Sequence, residues 1–129
     1  MDYKEDYYKG IAGIYFNRIL NTIIKLGNLK QEQETILDFG CGVKHLKKKL
    51  NKDNVIGYDI LEELTEIKDY KTLKPKVIIC NAVLEHLNEQ EIESTIKDFI
   101  NMNKNSLLIT SIPTENWLSK LGMKLTGLK

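Results

Sequence analysis

The stretch ILDFGCG, residues 36–42, decides the fold of this chain. Residues 36–39 are mostly apolar and run directly into glycines, which is typical of a short, buried parallel strand. Gly40 and Gly42 indicate a tight turn in which no Cβ blocks the approach of a ligand. Residues 43–50 place their apolar side chains on one stripe and predict a helix. A strand, a glycine turn and a helix in this order are how an α/β sheet presents backbone N–H groups to a nucleotide-like ligand.

Length and composition are those of a single globular domain. The chain has 129 residues, of which 42% are hydrophobic and 29% are charged, and a domain of this size buries roughly two thirds of its unfolded surface. The net charge of +1 provides no overall field that would favour nucleic acid or a membrane. Cys41 and Cys80 are expected to be reduced thiols. Without a targeting run or an apolar stretch of spanning length, a cytoplasmic location is the default prediction.

The remaining apolar patterns predict further helices and strands. Apolar side chains at three- and four-residue steps indicate helices, and short runs rich in β-branched residues indicate strands. Only a brief strand fits into the short segment between the second and fourth predicted strands, because a full helix, strand and helix need more residues. The predicted helices are 11–26, 89–100 and 117–128, and the predicted strands after the first are 55–60, 64–67, 76–81 and 106–111.

A second acid, Asp59, follows the second predicted strand. It lies 17 residues after Gly42, close to the offset of about 20 residues at which an acid meets a ribose diol in dinucleotide-binding folds. An ionised carboxylate has only acceptors, and a cis-diol offers two O–H donors. The favoured interpretation of Asp59 is therefore diol binding, and the alternative is that it caps the following turn.

Two motifs together resemble those of class I S-adenosylmethionine-dependent methyltransferases. The pattern D-x-G-x-G at 38–42 is similar to the first motif of that family. An apolar strand followed by Asn81 and by VLEHL at 83–87 is similar to its fourth motif. The stretch TSIPTENWLSKLG at 110–122 is similar to the segment after the fifth strand in several small members. The resemblance covers residues 35–122, most of the chain.

The resemblance implies an α/β fold of the Rossmann-like type. It predicts a three-layer sandwich with a mostly parallel five-stranded sheet in the order 3-2-1-4-5. Residues 1–129 would form one methyltransferase-like domain, with an N-terminal helix within 1–28 and a cofactor-binding core over 35–129. The cofactor would lie at the carboxyl ends of the first and fourth strands, where the winding of the sheet reverses.

The function implied by the resemblance is methyl transfer from S-adenosylmethionine to an unidentified acceptor. The sulfonium supplies the leaving group, so the protein chiefly positions the reactants and excludes water, and no catalytic residue is assigned. The first motif would hold the methionine moiety, Asp59 the ribose, and Asn81 with Ala82 the sulfonium. The implied cofactor-binding residues are Asp38, Gly40, Cys41, Gly42, Asp59, Ile60, Asn81 and Ala82.

Departures from the family pattern keep a non-catalytic, methyltransferase-like binding module as the alternative. Lys44 stands where the family usually has a third glycine, and no sequence follows the fifth strand that could form the closing antiparallel pair. The edge of that strand and the C-terminal helix would then pair with a partner or with a second copy. A nicotinamide-dependent enzyme is disfavoured by Asp38 and by His45 at the last glycine position of the nicotinamide fingerprint.

Glu85 and His86 invite a metal interpretation, which the surrounding residues oppose. Metal-dependent small-RNA methyltransferases show E-x-x-E-H here, and the first of these glutamates corresponds to Ala82 in this chain. No histidine follows His86, and two ligands on one turn do not complete a metal site. The sequence therefore predicts no metal centre.

Overall fold

The computed structural model describes residues 10–112, and a sheet of four parallel strands lies at their centre. The strand β1 (Ile36–Phe39) lies between β2 (Val55–Tyr58) and β3 (Val77–Asn81), and β4 (Leu107–Ser111) pairs with the other side of β3. Each of the three pairings is parallel. All four residues of β1 are buried, as expected of a central strand covered on both faces.

Helices lie on both faces of the sheet, which confirms the predicted α/β class. Their bounds agree with the predicted helices to within a few residues. The best-defined start is that of the last helix, where Asn88 and Glu91 exchange hydrogen bonds of 2.8 and 2.9 Å in a capping box. The helices are α1 (Gly10–Leu26), α2 (His45–Leu50) and α3 (Glu89–Met102), with two short 3-10 helices at Tyr70–Thr72 and Leu84–His86.

Side chains of the strands alternate between two apolar layers, because successive residues of a strand point to opposite faces. On one side, the α1 face, Ile36 shares a buried layer with Ile23 of α1. On the other side, the α3 face, Leu37 shares a buried layer with Phe99 of α3. The alternation places Asp38 on the α1 face at the carboxyl end of β1.

Two side chains near the start of β2 hold the connection from α1 into β1. The Nζ of Lys52 donates to the carbonyl oxygens of Leu29 and Lys30 at 3.0 Å and also to that of Glu32. The Nδ2 of Asn54 donates to the Glu32 oxygen at 2.9 Å. These bonds satisfy carbonyl groups that have no strand or helix partner, and they fix where β1 enters the sheet.

The strand predicted at 64–67 is wrong, because that segment forms turns and bends. Glu66 closes the edge of β2 instead. Its N–H donates to the Gly57 oxygen, and its Oε1 accepts from the Gly57 N–H, both at 2.8 Å. One residue thus supplies, through its side chain, the bond that a neighbouring strand would supply. The sheet of the described residues has four strands in the order β2-β1-β3-β4, and five strands in the order 3-2-1-4-5 are not confirmed.

At the opposite edge, β4 pairs only with β3 among residues 10–112. Leu107 and Leu108 of β4 are 48% and 37% exposed. The helix predicted at 117–128 lies outside the described residues, so pairing of this edge with a partner or a second copy stays a prediction. None of the helices within 10–112 combines the length and the apolar character that a membrane span requires.

Tyr70, in the crossover from β2 to β3, packs against aromatic side chains of β1 and β2. Its ring lies 4.7 Å from the ring of Tyr58 and 4.9 Å from that of Phe39, measured between centroids. Its hydroxyl donates to the Oδ2 of Asp98 on α3 at 2.6 Å. Burial, and next the bond to Asp98, raise the pKa of Tyr70, so the hydroxyl keeps its proton. This bond ties the short crossover to α3.

Replacing Tyr70 by Phe should remove this bond while keeping the ring. We expect Tyr70→Phe to lower the free energy of unfolding by about 0.5–1.5 kcal/mol, the usual net value of one hydrogen bond, measured by urea denaturation. Tyr58→Phe is the matched control, since no described residue bonds the Tyr58 hydroxyl, and it should stay close to the wild type. Equal stability of the two variants would show that the Tyr70–Asp98 bond contributes nothing.

Candidate functional site

The turn after β1 depends on glycine. Gly40 has a φ of 81° and Gly42 a φ of 54°, which is the left-handed region that residues with a Cβ rarely adopt. A Cβ added to Gly40 would also overlap a methyl group of Val83, which follows β3. The turn is therefore confined by the next central strand as well as by its own backbone.

Three hydrogen bonds fasten this turn to the end of β2. The N–H groups of Gly40 and Cys41 both donate to the Tyr58 oxygen, at 2.7 and 3.0 Å. The N–H of Gly42 donates to the Oδ2 of Asp59 at 2.9 Å. These amides are thus engaged within the protein, and a ligand at the turn has to be recognised mainly by side chains and by the space that the glycines leave.

Asp59 is part of this bracing. It is 7% exposed, and its Oδ1 accepts from the Leu61 N–H at 3.0 Å while its Oδ2 accepts from Gly42. Its own N–H donates to the Oγ1 of Thr65 at 3.0 Å. The bond to Leu61 is the turn cap that the sequence left open as the alternative. A carboxylate oxygen can accept more than one hydrogen bond. These contacts therefore do not exclude diol binding, which stays a prediction.

Asp38 is the second acid of the site. It is 5% exposed, and its register partners on the neighbouring strands are Gly57 and Ile79. No residue in the described part of the chain donates a hydrogen bond to its carboxylate. Burial first, and then the charges of Asp59 and Glu66, raise the pKa of Asp38 from 3.8 to about 7. A cation placed against this carboxylate would favour the ionised form.

Cys41 serves packing. A Cβ on Gly57 would lie 2.8 Å from its Sγ, so glycine at that position makes room for the thiol. The thiol donates to the Leu64 oxygen at 3.7 Å, and burial raises its pKa to about 12. Cys80 is a free thiol in the buried layer on the α3 face. Neither thiol has the exposed, electropositive surroundings of a nucleophile.

Lys44, at the position where the resemblance expects a third glycine, has a left-handed backbone conformation. Its φ of 65° and ψ of 42° are left-handed, and α2 begins at His45, so the helix starts two residues later than predicted. The side chain is half-buried. The pKa of Glu66 is lowered by its hydrogen bonds with Lys47 and the Gly57 N–H and, to a smaller extent, by the positive charges of Lys47 and Lys44.

The ends of β3 and β4 form the other side of the site. Asn81 and Ser111 are register partners, and the Ser111 hydroxyl donates to the Oδ1 of Asn81 at 2.5 Å. The N–H of Ala82 donates to the Oγ of Ser111 at 3.1 Å and to its backbone oxygen at 3.0 Å. Ala82 has a φ of 58°, a left-handed conformation for a residue with a Cβ. The sequence did not single out Ser111.

Of the other predicted residues, Ile60 lies beside Asp59 with 86% of its surface exposed. The His86 side chain is 75% exposed, and its Nε2 lies 3.8 Å from the Oε2 of Glu85. Within residues 10–112, no group of three His, Cys, Asp or Glu side chains is arranged to hold a metal ion. Of the predicted residues, the structure brings Asp38, Asp59 and Asn81 together at the carboxyl ends of the adjacent strands β1, β2 and β3.

The strain at Lys44 can be tested by two glycine substitutions. Lys44→Gly should raise the free energy of unfolding by about 1 kcal/mol, because glycine adopts the left-handed conformation without steric cost. Lys48→Gly, at an exposed position within α2, should lower it by about 1 kcal/mol. Thermal and urea unfolding would measure both. A loss of stability in both variants would exclude strain at residue 44.

The raised pKa of Asp38 predicts how stability depends on pH. The native carboxyl holds its proton up to about pH 7, whereas the unfolded chain releases it near pH 4. The native state therefore binds more protons over this interval, and this group's contribution lowers stability as pH rises from 4 to 7. Asp38→Asn should remove that decline and be more stable at pH 8 than the wild type, by at most about 4 kcal/mol.

The control for this comparison is Asp53→Asn, which removes the same charge at an exposed position. Urea denaturation at pH 4, 6 and 8 gives the three profiles. Parallel profiles for the wild type and Asp38→Asn would contradict a raised pKa at Asp38.

Comparison with known proteins agrees with these features. A family model described as a methyltransferase domain matches residues 11–127. No curated protein and no solved structure matches the chain. The family match extends over nearly the whole sequence and confirms the resemblance seen in the motifs at 38–42 and 83–87. The chain belongs to the methyltransferase-domain family, as a class I S-adenosylmethionine-dependent methyltransferase domain.

Proposed function

We propose that this protein transfers a methyl group from S-adenosylmethionine to an acceptor molecule. The observation that carries the proposal is the environment of Asp38, a carboxylate 5% exposed with no hydrogen-bond donor among the described residues. A buried carboxylate without a partner is costly when ionised, and a cation offsets that cost. S-adenosylmethionine presents positive charge at its sulfonium and at its amino group. Membership of the methyltransferase-domain family supports this choice of cation.

The shape of the site supports the same cofactor. Gly40 and Gly42 leave the end of β1 without side chains where a ligand would cross the sheet, next to the buried acid. At the end of β2, Asp59 places a carboxylate, a group that accepts hydrogen bonds from ribose hydroxyls. Ile60, 86% exposed, offers an apolar surface on which a flat base can pack. Asn81 and Ala82 border the space from the β3 side.

When bound, S-adenosylmethionine supplies a methyl group on a sulfonium, which is already activated for transfer. The residues of this chain then have to bind, orient and exclude water. In this proposal Asp38 balances the positive end of the cofactor, Asp59 holds the ribose, and the backbone of Asn81 and Ala82 borders the region of the sulfonium. The proposal needs no acid–base pair, in keeping with the exposed position of His86.

A non-catalytic binding module is the second candidate, and two observations favour it. Lys44 brings a positive charge to the position of the usual third glycine, where it disfavours a nearby sulfonium. The amides of Gly40, Cys41 and Gly42 are engaged inside the protein and offer less to a ligand than free amides would. Against it stands Asp38, since a module freed from binding a cation has no use for a buried acid to which no residue within 10–112 donates a hydrogen bond.

The decisive measurement is calorimetric titration with S-adenosylmethionine and S-adenosylhomocysteine. We expect both to bind the wild type, and Asp59→Ala to weaken binding by about 2–4 kcal/mol through loss of charged hydrogen bonds to the ribose. Asp53→Ala, which removes an exposed acid outside the site, should bind as the wild type does. No binding of either compound at millimolar concentration would overturn the proposed function and leave the second candidate.

Since Asp59 also braces the turn, a second ligand separates its two roles. The 2′-deoxy analogue of S-adenosylhomocysteine lacks one hydroxyl of the diol. If Asp59 binds the ribose, the wild type should bind this analogue less tightly, whereas Asp59→Ala should bind both ligands equally. Equal discrimination by the two proteins would limit Asp59 to holding the turn.

A further inference from the structure

The Ser111 side chain joins the ends of two strands at the site. A single hydroxyl accepts from the Ala82 N–H at 3.1 Å and donates to the Oδ1 of Asn81 at 2.5 Å. The backbone oxygen of Ser111 accepts from the same Ala82 N–H at 3.0 Å. A hydroxyl has one proton to donate, and because it accepts from Ala82, that proton is directed to Asn81.

This arrangement fixes the two residues that border the site from β3. The left-handed φ of 58° at Ala82 persists only where surrounding contacts hold it, and the N–H of Ala82 donates both to the side chain and to the backbone oxygen of Ser111. The Asn81 amide has its oxygen engaged by the same hydroxyl. Its NH2 group is then the end that faces away from Ser111, and the residue as a whole is only half-buried.

The direction of these donors follows from the sheet. Side chains two residues apart share a face, so Asn81 lies on the α1 face, one step beyond Ile79, the register partner of Asp38. Ser111 lies on the β4 side of Asn81, and the glycine turn lies on the β1 side. With its oxygen held toward β4, the amide presents its NH2 group toward the turn.

We propose that Ser111 is the positioning residue of this site, which holds the Asn81 amide so that its two N–H donors meet a lone-pair group of the ligand. The inference rests on the proposed function for the identity of that ligand. A site that presents donors selects an oxygen or an uncharged nitrogen, such as a carboxylate, a carbonyl or a hydroxyl. Ser111 itself touches no reacting atom and acts through Asn81.

The first measurement needs no cofactor. Nuclear magnetic resonance relaxation of the Asn81 side-chain amide, assigned by its loss in Asn81→Asp, reports how firmly the amide is held. We expect a rigid amide in the wild type and in Ser111→Thr, which keeps the hydroxyl. In Ser111→Ala the order parameter should fall below about 0.6, the range of flexible groups.

The matched control is Ser106→Ala, because Ser106 directly precedes β4 and Ser111 ends it. The Ser106 hydroxyl donates to the Pro75 oxygen at 2.6 Å, so this variant also loses one hydroxyl hydrogen bond between neighbouring strands. It should lose similar stability in urea and leave the Asn81 amide rigid. If Ser106→Ala loosens the amide as much as Ser111→Ala does, the effect is general destabilisation and the proposal fails.

The second measurement is the affinity for S-adenosylhomocysteine by calorimetry. Ser111→Ala should bind about three- to tenfold more weakly, the equivalent of one lost hydrogen bond, while Ser111→Thr and Ser106→Ala stay within about twofold of the wild type. Unchanged affinity in Ser111→Ala, or a rigid amide in that variant, overturns the proposal. If the wild type itself binds no cofactor, the proposed function has failed, and the relaxation data alone decide whether Ser111 positions Asn81.

Discussion

The attachment of the glycine turn to the end of β2 is the constraint on which the rest of the site depends. One carbonyl oxygen, that of Tyr58, accepts from two consecutive amides, and the Asp59 carboxylate accepts from a third. These bonds convert a flexible stretch containing two glycines into a turn of fixed shape. The shape of this turn determines where α2 begins and how closely Val83 can approach. The ends of β1, β2 and β3 are therefore positioned together.

The sequence predicted the parts of the fold that follow from apolar periodicity. The β1 strand and the helices over 11–26 and 89–100 were predicted correctly to within a few residues, because each depends on a local apolar pattern. The strand predicted at 64–67 was wrong. The Glu66 carboxylate accepts the hydrogen bond of the Gly57 N–H, so no further strand is needed at this edge. A side chain that takes the place of a backbone hydrogen-bond acceptor produces no apolar periodicity in the sequence.

The candidate site was predictable in composition and less so in arrangement. The two motifs located Asp38 and Asn81, the spacing after Gly42 located Asp59, and the topology of the sheet brings their strand ends side by side. The turn cap from the Leu61 N–H to Asp59 was the alternative interpretation, but neither the bond from the Gly42 N–H to Asp59 nor the bond from the Ser111 hydroxyl to Asn81 was predicted. Both facts depend on register between segments that are far apart in the chain, and register of this kind becomes visible only once the strands are paired.

The Glu66 carboxylate has one more consequence. A sheet edge that is covered by another strand becomes exposed only when all the hydrogen bonds to that strand are broken. The outer edge of β2 is covered at Gly57 by the backbone N–H and the carboxylate of Glu66, and this carboxylate also pairs with Lys47 at 2.8 Å. Protonation of Glu66 in strong acid would weaken the bonds of its carboxylate to Gly57 and Lys47, and a sheet edge that loses such cover is a template on which a second chain can add a strand.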